Sequence, residues 1–429
     1  MKFYIKAIVF SLALVCLSCG SDNTTGGGGD DGPVEPILSD EIRVYNPDLF
    51  HNGLALLIEN GGTTAYLVNK EGERLFTWTF DSNLGNDLEL LPDGRVIGIF
   101  KVDDPEITAG GFGGVVKIIN PDMSVDWEFE YSTNTYIAHH DVELLPNGNV
   151  LIMVWESIDM TTAQQAGVQT TADIIPEKLI EVDPSTDQIV WEWRAWDHII
   201  QDVDMNLPNF GVVADNPQRI DFNLNAGTNG DIMHANSIDY DAVKDVIYMS
   251  VNFYNEVWVI DHSTTTAEAA GSTGGTYGKG GDLLYRFGNP AAYNNPMGTA
   301  MFDKNHFANI LENGEPGSGN LLIYVNGETA QQSTVYELDM PDTFDLLPNT
   351  DNEPGVVWDF TDSDLYFPRL SGASRLSNGN TLICEGDYGY WEVTPSGEVA
   401  WKYEGEINFW RGYGYDLDYP GLTPLGLIF

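Results

Sequence analysis

Positive charge is what this chain has least of: 19 lysines and arginines stand against 65 aspartates and glutamates in 429 residues, a formal net charge of −46. A surface of that sign repels nucleic acid and anionic lipid, so neither is expected as a partner. An anionic substrate would need a locally positive pocket. Cysteine is nearly as scarce. Of the three in the chain, Cys16 and Cys19 lie close to the N-terminus, and Cys384 in Leu382-Ile383-Cys384 reads as a small buried hydrophobe. No disulfide framework and no cysteine zinc cluster can be built from that set. Amphipathic helical periodicity is also missing. The apolar run from Ile8 to Leu17 is too short to span a bilayer.

The N-terminus reads as an export signal. Met1, Lys2 and Lys6 give a cationic start, the apolar run follows, and Ser18-Cys19-Gly20 has the form of a bacterial lipobox. The expected organisation is a signal peptide over residues 1–18, a lipidated disordered tether over 19–37 beginning at Cys19, and one β-propeller domain over 38–429. Residues 21–36, with four consecutive glycines and an Asp-Asp pair, cannot bury apolar area. The expected location is the outer membrane, on its periplasmic side or at the cell surface, with membrane contact through the lipid anchor alone.

A unit then recurs. An apolar stretch ends in Asn-Gly or Asp-Gly, a Val/Ile/Leu run and a third short strand follow, and a last strand carries Trp. The turns are Asp93-Gly94, Asn147-Gly148 and Asn378-Gly379, and the closing tryptophans are Trp127, Trp191, Trp358 and Trp401. Residues 54–58, 64–68 and 74–78, the last ending in Trp78, look like three strands lacking their first. A strand from residues 409–422 would complete that unit and leave no open edge. The prediction is an all-β, six-bladed propeller of four-stranded blades closed by a C-terminal strand. Long insertions at 161–172, 201–229 and 263–281 are places where a site can be built.

Counting back eight positions from each turn glycine gives Asn86, His140, His306 and Ser371, and the same offset from Ala242 gives His234. Three consecutive blades thus place histidine at the start of the strand that lines the central channel, although the chain has only seven. His139 should point the other way on an alternating strand. His51, His198 and His262 lack the register and read as structural. Three imidazoles in one funnel admit two chemistries: a metal held by three histidines, or nucleophilic and acid/base work by the rings themselves. Asp141 and Asp303 are nearby in sequence, but no metal-ligand motif is recognisable.

The stretches His139-His140-Asp141-Val142-Glu143-Leu144-Leu145-Pro146-Asn147-Gly148-Asn149, His234-Ala235-Asn236-Ser237-Ile238-Asp239-Tyr240 and Asn305-His306-Phe307-Ala308-Asn309 resemble the bacterial arylsulfate sulfotransferase family. The resemblance runs from Tyr45 to Leu422 and implies a six-bladed propeller. It also implies ping-pong transfer of a sulfuryl group from an aryl sulfate ester to a phenol through a sulfated histidine, with no cofactor. It makes His306 the nucleophile, has His234 and His140 bind sulfuryl oxygens and assist proton transfer, and has Asn236 hold the sulfate. Asn252 stands where the family has a sulfate-gripping arginine, so either Arg369, Arg375 or Arg411 reaches the channel instead, or sulfate binding is weak, or the substrate differs. Phe253, Tyr254 and Tyr388 are candidate partners for a phenol ring. Two other readings compete with the sulfotransferase. One is a non-catalytic surface propeller binding an anionic ligand or a protein, and the other is a metal-dependent hydrolase using the same histidines.

Overall fold

The computed structural model describes residues 36–429 other than residue 228, so the signal peptide, most of the tether and Cys19 lie outside the described residues. Residues Leu38–Phe429 make one compact unit. Six antiparallel sheets form the blades of a β-propeller. From the channel outward, blade 1 is Phe409–Asp416, Gly53–Glu59, Thr64–Val68 and Arg74–Thr79, and blade 2 is Leu84–Leu90, Val96–Lys101, Gly114–Ile119 and Val125–Glu130. Blade 3 is Tyr136–Leu144, Val150–Glu156, Glu177–Asp183 and Gln188–Arg194; blade 4 is Ala235–Asp241, Val246–Val251, Glu256–Asp261 and Tyr285–Phe287. Blade 5 is Asn305–Ile310, Leu321–Val325, Thr334–Asp339 and Gly355–Phe360, and blade 6 is Gly372–Arg375, Thr381–Glu385, Gly389–Val393 and Val399–Glu404.

The C-terminal strand does complete blade 1, pairing Tyr413 with Leu56 and Gly412 with Leu57. A second closure was not expected. Ile42–Tyr45 adds a fifth, outermost strand to blade 6, so the first described strand and the last strand each complete a blade from the other end of the chain. That strand has four residues and a register shift between Ile42 and Val44, too short and irregular for alternation to announce it.

Strands form here because their Val, Ile, Leu and aromatic residues pack between blades, and turns form where Gly94, Gly148 and Gly379 adopt positive φ. The outer tryptophans latch neighbours together. Trp127 donates its indole N–H to Asp187 of blade 3, Trp191 to Thr264 of blade 4, Trp358 to the Pro395 carbonyl of blade 6, and Trp401 to the Lys70 carbonyl of blade 1. Each bond reaches the next blade's outer turn. Asn225, in the long insertion, donates to the carbonyls of Ile232 and Phe253 and braces the loops on either side of His234.

Candidate active site

The three register histidines sit where the ladders are broken: His234 just before its inner strand, His306 second in its own, and His140 in the middle of Tyr136–Leu144 rather than at its start as expected. In blade 3 the pairing jumps from Val154–Ala138 to Ile152–Val142, so residues 139–141 face Met153 alone. Blades 2, 4 and 5 shift register at the same level. The bulges force non-glycine residues into the left-handed region: His140 has φ 54°, His234 φ 48° and Phe307 φ 51°. A bulge re-aims side chains that a regular strand would send to opposite faces. That is why His139, expected to point away, lies with its Nδ1 2.8 Å from Nδ1 of His140.

The rings meet at the top of the channel. His140 and His234 have centroids 4.9 Å apart at 80°. Trp410, from the inner strand of blade 1, lies 5.6 Å from the ring of His140 and 6.2 Å from that of His306, and its buried indole N–H has no partner among the described residues. Gly111 packs directly on the His140 ring: a Cβ there would lie 2.1 Å from ring atoms, and its φ of +87° also suits glycine alone. The Gly111 carbonyl accepts from the His140 backbone N–H and from the Asn86 side chain.

Each histidine has its Nδ1 occupied. His306 Nδ1 lies 2.6 Å from Asn326 Oδ1, and the Asn326 amide nitrogen donates to the carbonyls of Phe367 and Leu370. The amide is therefore oriented with its oxygen toward the ring, so His306 carries its proton on Nδ1 and a lone pair on Nε2. Burial pushes His306 down to about 3, an effect opposed by the Asn326 bond and reinforced by the charges of His234, Arg411 and Lys304. The ring stays neutral and nucleophilic. His234 Nδ1 lies 2.5 Å from a carboxylate oxygen of Asp231. His140 is held well below the ordinary histidine range by burial and then by the charge of His234.

Other predicted residues fall elsewhere. The side-chain nitrogens of Asn236 and Asn252 both grip the Asn305 carbonyl, at 2.7 and 3.0 Å. They tie blade 4 to the strand bearing His306. Arg375 sits beside the Asn378-Gly379 turn, at the far end of its strand, ion-paired with Glu337. Arg411 is in the channel, but its guanidinium is gripped by both oxygens of Asp141 at 3.0 and 3.1 Å and by the Asn236 carbonyl at 3.0 Å. Its charge is already neutralised. Arg369 is exposed on the loop preceding the inner strand of blade 6. Tyr254 is buried and donates to the Asp221 carbonyl, and Tyr388 packs on Trp391 in the outer half of blade 6. His51, His198 and His262 are bound to Asp416, Asp282 and the Glu181–Asp245 pair respectively.

Phe253, one of the candidate partners for a phenol ring, stacks on His234 at 4.8 Å and 12°. Two groups escaped the sequence. Lys304, two residues before His306, holds its ammonium 4.6 Å above the Phe253 ring, with no ion-pair partner among the described residues. A lone lysine beside a register histidine in so acidic a chain was the signal available for it. Glu177, which contacts His139, comes from another strand and left no signal at all. Among the described residues no group of three or more His, Cys, Asp or Glu side chains is placed to hold a metal ion.

The sequence matches the arylsulfotransferase (ASST) family over residues 43–406. No curated protein matches the chain. Solved structures with the same general build include a protein of unknown function from Bacteroides caccae (12% identity, 84% of this chain and 98% of that one, TM-score 0.47). Another is a functionally unknown protein from Desulfotomaculum acetoxidans (11% identity, 85% and 99%, TM-score 0.40). Such distant likenesses carry no argument here. The family match covers five complete blades and most of the sixth, and it spans all three channel histidines: the chain belongs to the arylsulfotransferase family.

Proposed function

We propose that the protein moves a sulfuryl group from an aryl sulfate ester to a phenolic acceptor by ping-pong chemistry through a sulfated His306. The observation that carries this is the fixed tautomer of His306, whose Nδ1–H is given to an oriented amide and whose Nε2 lone pair has no partner among the described residues. In the first half-reaction Nε2 attacks sulfur, the S–O bond to the aryl group breaks, and the bonding pair leaves on the phenolate oxygen. The ring becomes an N-sulfated cation whose Nδ1–H still donates to Asn326. In the second half-reaction a phenol oxygen attacks the same sulfur and the N–S bond returns its electron pair to Nε2.

His234, backed by Asp231, donates to the sulfuryl oxygens, and the Lys304 ammonium supplies the cation that Asn252 does not. His140 carries the proton to and from the phenolic oxygen. Phe253, already stacked on His234, is the aromatic surface against which an aryl ring can lie. The protein is proposed to work as an exported lipoprotein anchored through Cys19 at the outer membrane. Globomycin-sensitive processing and labelling with a fatty-acid probe, lost in Cys19→Ser, would test that placement.

The transfer itself is tested by incubating purified mature protein with a chromogenic aryl sulfate, with and without phenol and with chelator. Phenol-dependent, chelator-resistant release together with a protein adduct of one sulfuryl mass on His306 is expected. No release and no adduct would sink the reading and leave an anion-binding propeller, and release abolished by chelator would favour a metal site.

A further inference from the structure

Glu177 opens the third strand of blade 3 and is 1% exposed. One carboxyl oxygen, Oε1, accepts the Trp155 indole N–H at 3.2 Å and the backbone N–H of Ala235, the residue after His234, at 2.8 Å. The other, Oε2, lies 2.8 Å from Nε2 of His139. The His139 ring is fully buried, stacked on Trp155 with centroids 3.8 Å apart and planes within 8°, and its Nδ1 is 2.8 Å from Nδ1 of His140. Carboxyl, imidazole and imidazole thus form one row that ends at the channel. Its last atom, His140 Nε2, has no hydrogen-bond partner among the described residues.

Two neutral imidazoles meeting Nδ1 to Nδ1 share one proton: one ring donates and the other accepts. Burial holds both rings well below the ordinary histidine range and the Glu177 carboxyl well above the ordinary carboxylate range. The proton positions are therefore linked. With Glu177 ionised, it accepts from His139 Nε2–H, His139 Nδ1 accepts from His140 Nδ1–H, and His140 Nε2 keeps a lone pair. With Glu177 protonated, it donates to His139 Nε2, His139 donates from Nδ1 to His140, and the His140 proton sits on Nε2.

We propose that Glu177 and His139 are positioning residues forming a proton relay that switches His140 between a base and an acid within one transfer cycle. The proposal rests on the sulfuryl-transfer reading of the site. As the acceptor phenol oxygen bonds to sulfur, its proton goes to His140 Nε2, the His140 Nδ1 proton goes to His139 Nδ1, and the His139 Nε2 proton goes to Glu177. Three protons each move one bond, and no imidazolium is left at His140 beside His234 and Arg411. The next aryl sulfate reverses the row and protonates the departing phenolate oxygen. The other charged or titratable groups facing the row are His234 and Asp231 from the start of blade 4, Asp141 from the same strand, His306 from blade 5 and Arg411 from blade 1.

Glu177→Gln tests this without relying on activity. The two N–H donors on Oε1 force the new amide to turn its NH2 toward His139, which fixes His139 as Nδ1–H and His140 as Nε2–H. Histidine nitrogen NMR on the ligand-free protein should show the His140 tautomer changing with pH in the wild type and frozen as Nε2–H in the variant. His139→Gln also cuts the row and must abolish the same pH dependence, which covers the case of a Glu177 variant that does not fold. An unchanged His140 tautomer in both variants, or a pH response that survives, overturns the relay whatever the enzyme assay shows.

In turnover, Glu177→Gln should slow transfer to an unsubstituted phenol about a hundredfold. It should leave transfer to an electron-poor phenol, already ionised at the assay pH, near the wild-type rate. Equal loss with both acceptors would mean a structural role only. Absence of sulfated His306 in the wild type would instead defeat the transfer reading, and the NMR result would stand alone.

Discussion

The histidine level of the inner strands and their turn-proximal ends are built on opposite plans. Around the histidines the ladders of blades 1 to 5 are bulged, His140 and His234 sit in left-handed conformations, and the rings are neutral or carboxylate-backed. A few residues on, the strands regain register and the lining turns acidic. Asp87, Glu89, Asp141, Glu143 and Asp239 converge with Glu312 and Glu315 on a cavity of about 200 Å³. Burial, with neighbouring carboxylates, pushes Glu89 up to about 7 and holds Glu143 and Asp239 well above the carboxylate range. Arg411 lies between the two ends, locked to Asp141. One channel thus has an imidazole-lined end, proposed above to receive the sulfate ester, and an end lined by carboxyl groups. The irregular backbone belongs to the receptive end, because adjacent residues can enter one space only when alternation is broken.

The sharpest way to break this contrast is at the nucleophile. His306→Ala should lower phenol-dependent transfer by at least about 10⁴-fold and remove the sulfated adduct, since it deletes the ring whose Nε2 lone pair the oriented Asn326 amide fixes. Retained burst release of phenol in that variant would mean another group attacks sulfur. The divide between the ends is next. Arg411→Met leaves Asp87 and Asp141 buried without their cation and should cost about 3–5 kcal/mol in urea unfolding. Arg411→Met/Asp141→Asn should recover part of that loss, and additivity of the two changes would show that the pair is not coupled.

Most of the propeller was legible because its signals are local. Asn-Gly and Asp-Gly turns, alternating strands and outer tryptophans each report on neighbours a few residues away. The count back from the turn glycine found His140, His234 and His306 because it stays valid as long as the turn end of each strand is regular, which it is. The same logic failed for His139, since alternation was assumed through a bulge that no residue type marks. Asn236 and Asn252 were legible as residues near the site but not as ties to the Asn305 carbonyl, a contact between blades. Asn326, Asp231 and Glu177 fix the tautomers of the histidines from other strands and loops, and only the folded chain shows which ring each one serves.

Lys304 sharpens the contrast at the receptive end. If its ammonium is the cation that meets the sulfate, Lys304→Ala should lower kcat/KM for the aryl sulfate about 10- to 100-fold, the worth of a hydrogen bond to a charged group. Lys304→Arg should keep most of the activity, because charge and reach are retained. Added salt should weaken substrate capture in the wild type more than in the alanine variant. An alanine variant with unchanged KM and kcat would remove Lys304 from the site and leave exposed Arg369 as the cation to examine.

The smallest effect separates the ends by pH. His306 is depressed to about 3 in the folded chain, below the unfolded histidine value of about 6.5. The unfolded state therefore binds the extra proton first, and stability falls as pH drops from about 6.5 toward 3. Glu89 behaves in the opposite sense: raised to about 7, it is protonated in the folded chain while the unfolded carboxylate has already ionised. Its contribution is whole below about 4.5 and is lost as pH rises through about 7. Glu89→Gln should thus add about 1–2 kcal/mol of stability at pH 8, add nothing at pH 4, and leave sulfuryl transfer unchanged. Unfolding midpoints at the two pH values give the answer. A gain of equal size at both would place the cause in packing, whereas a fall in activity would mean that the two ends of the channel are coupled.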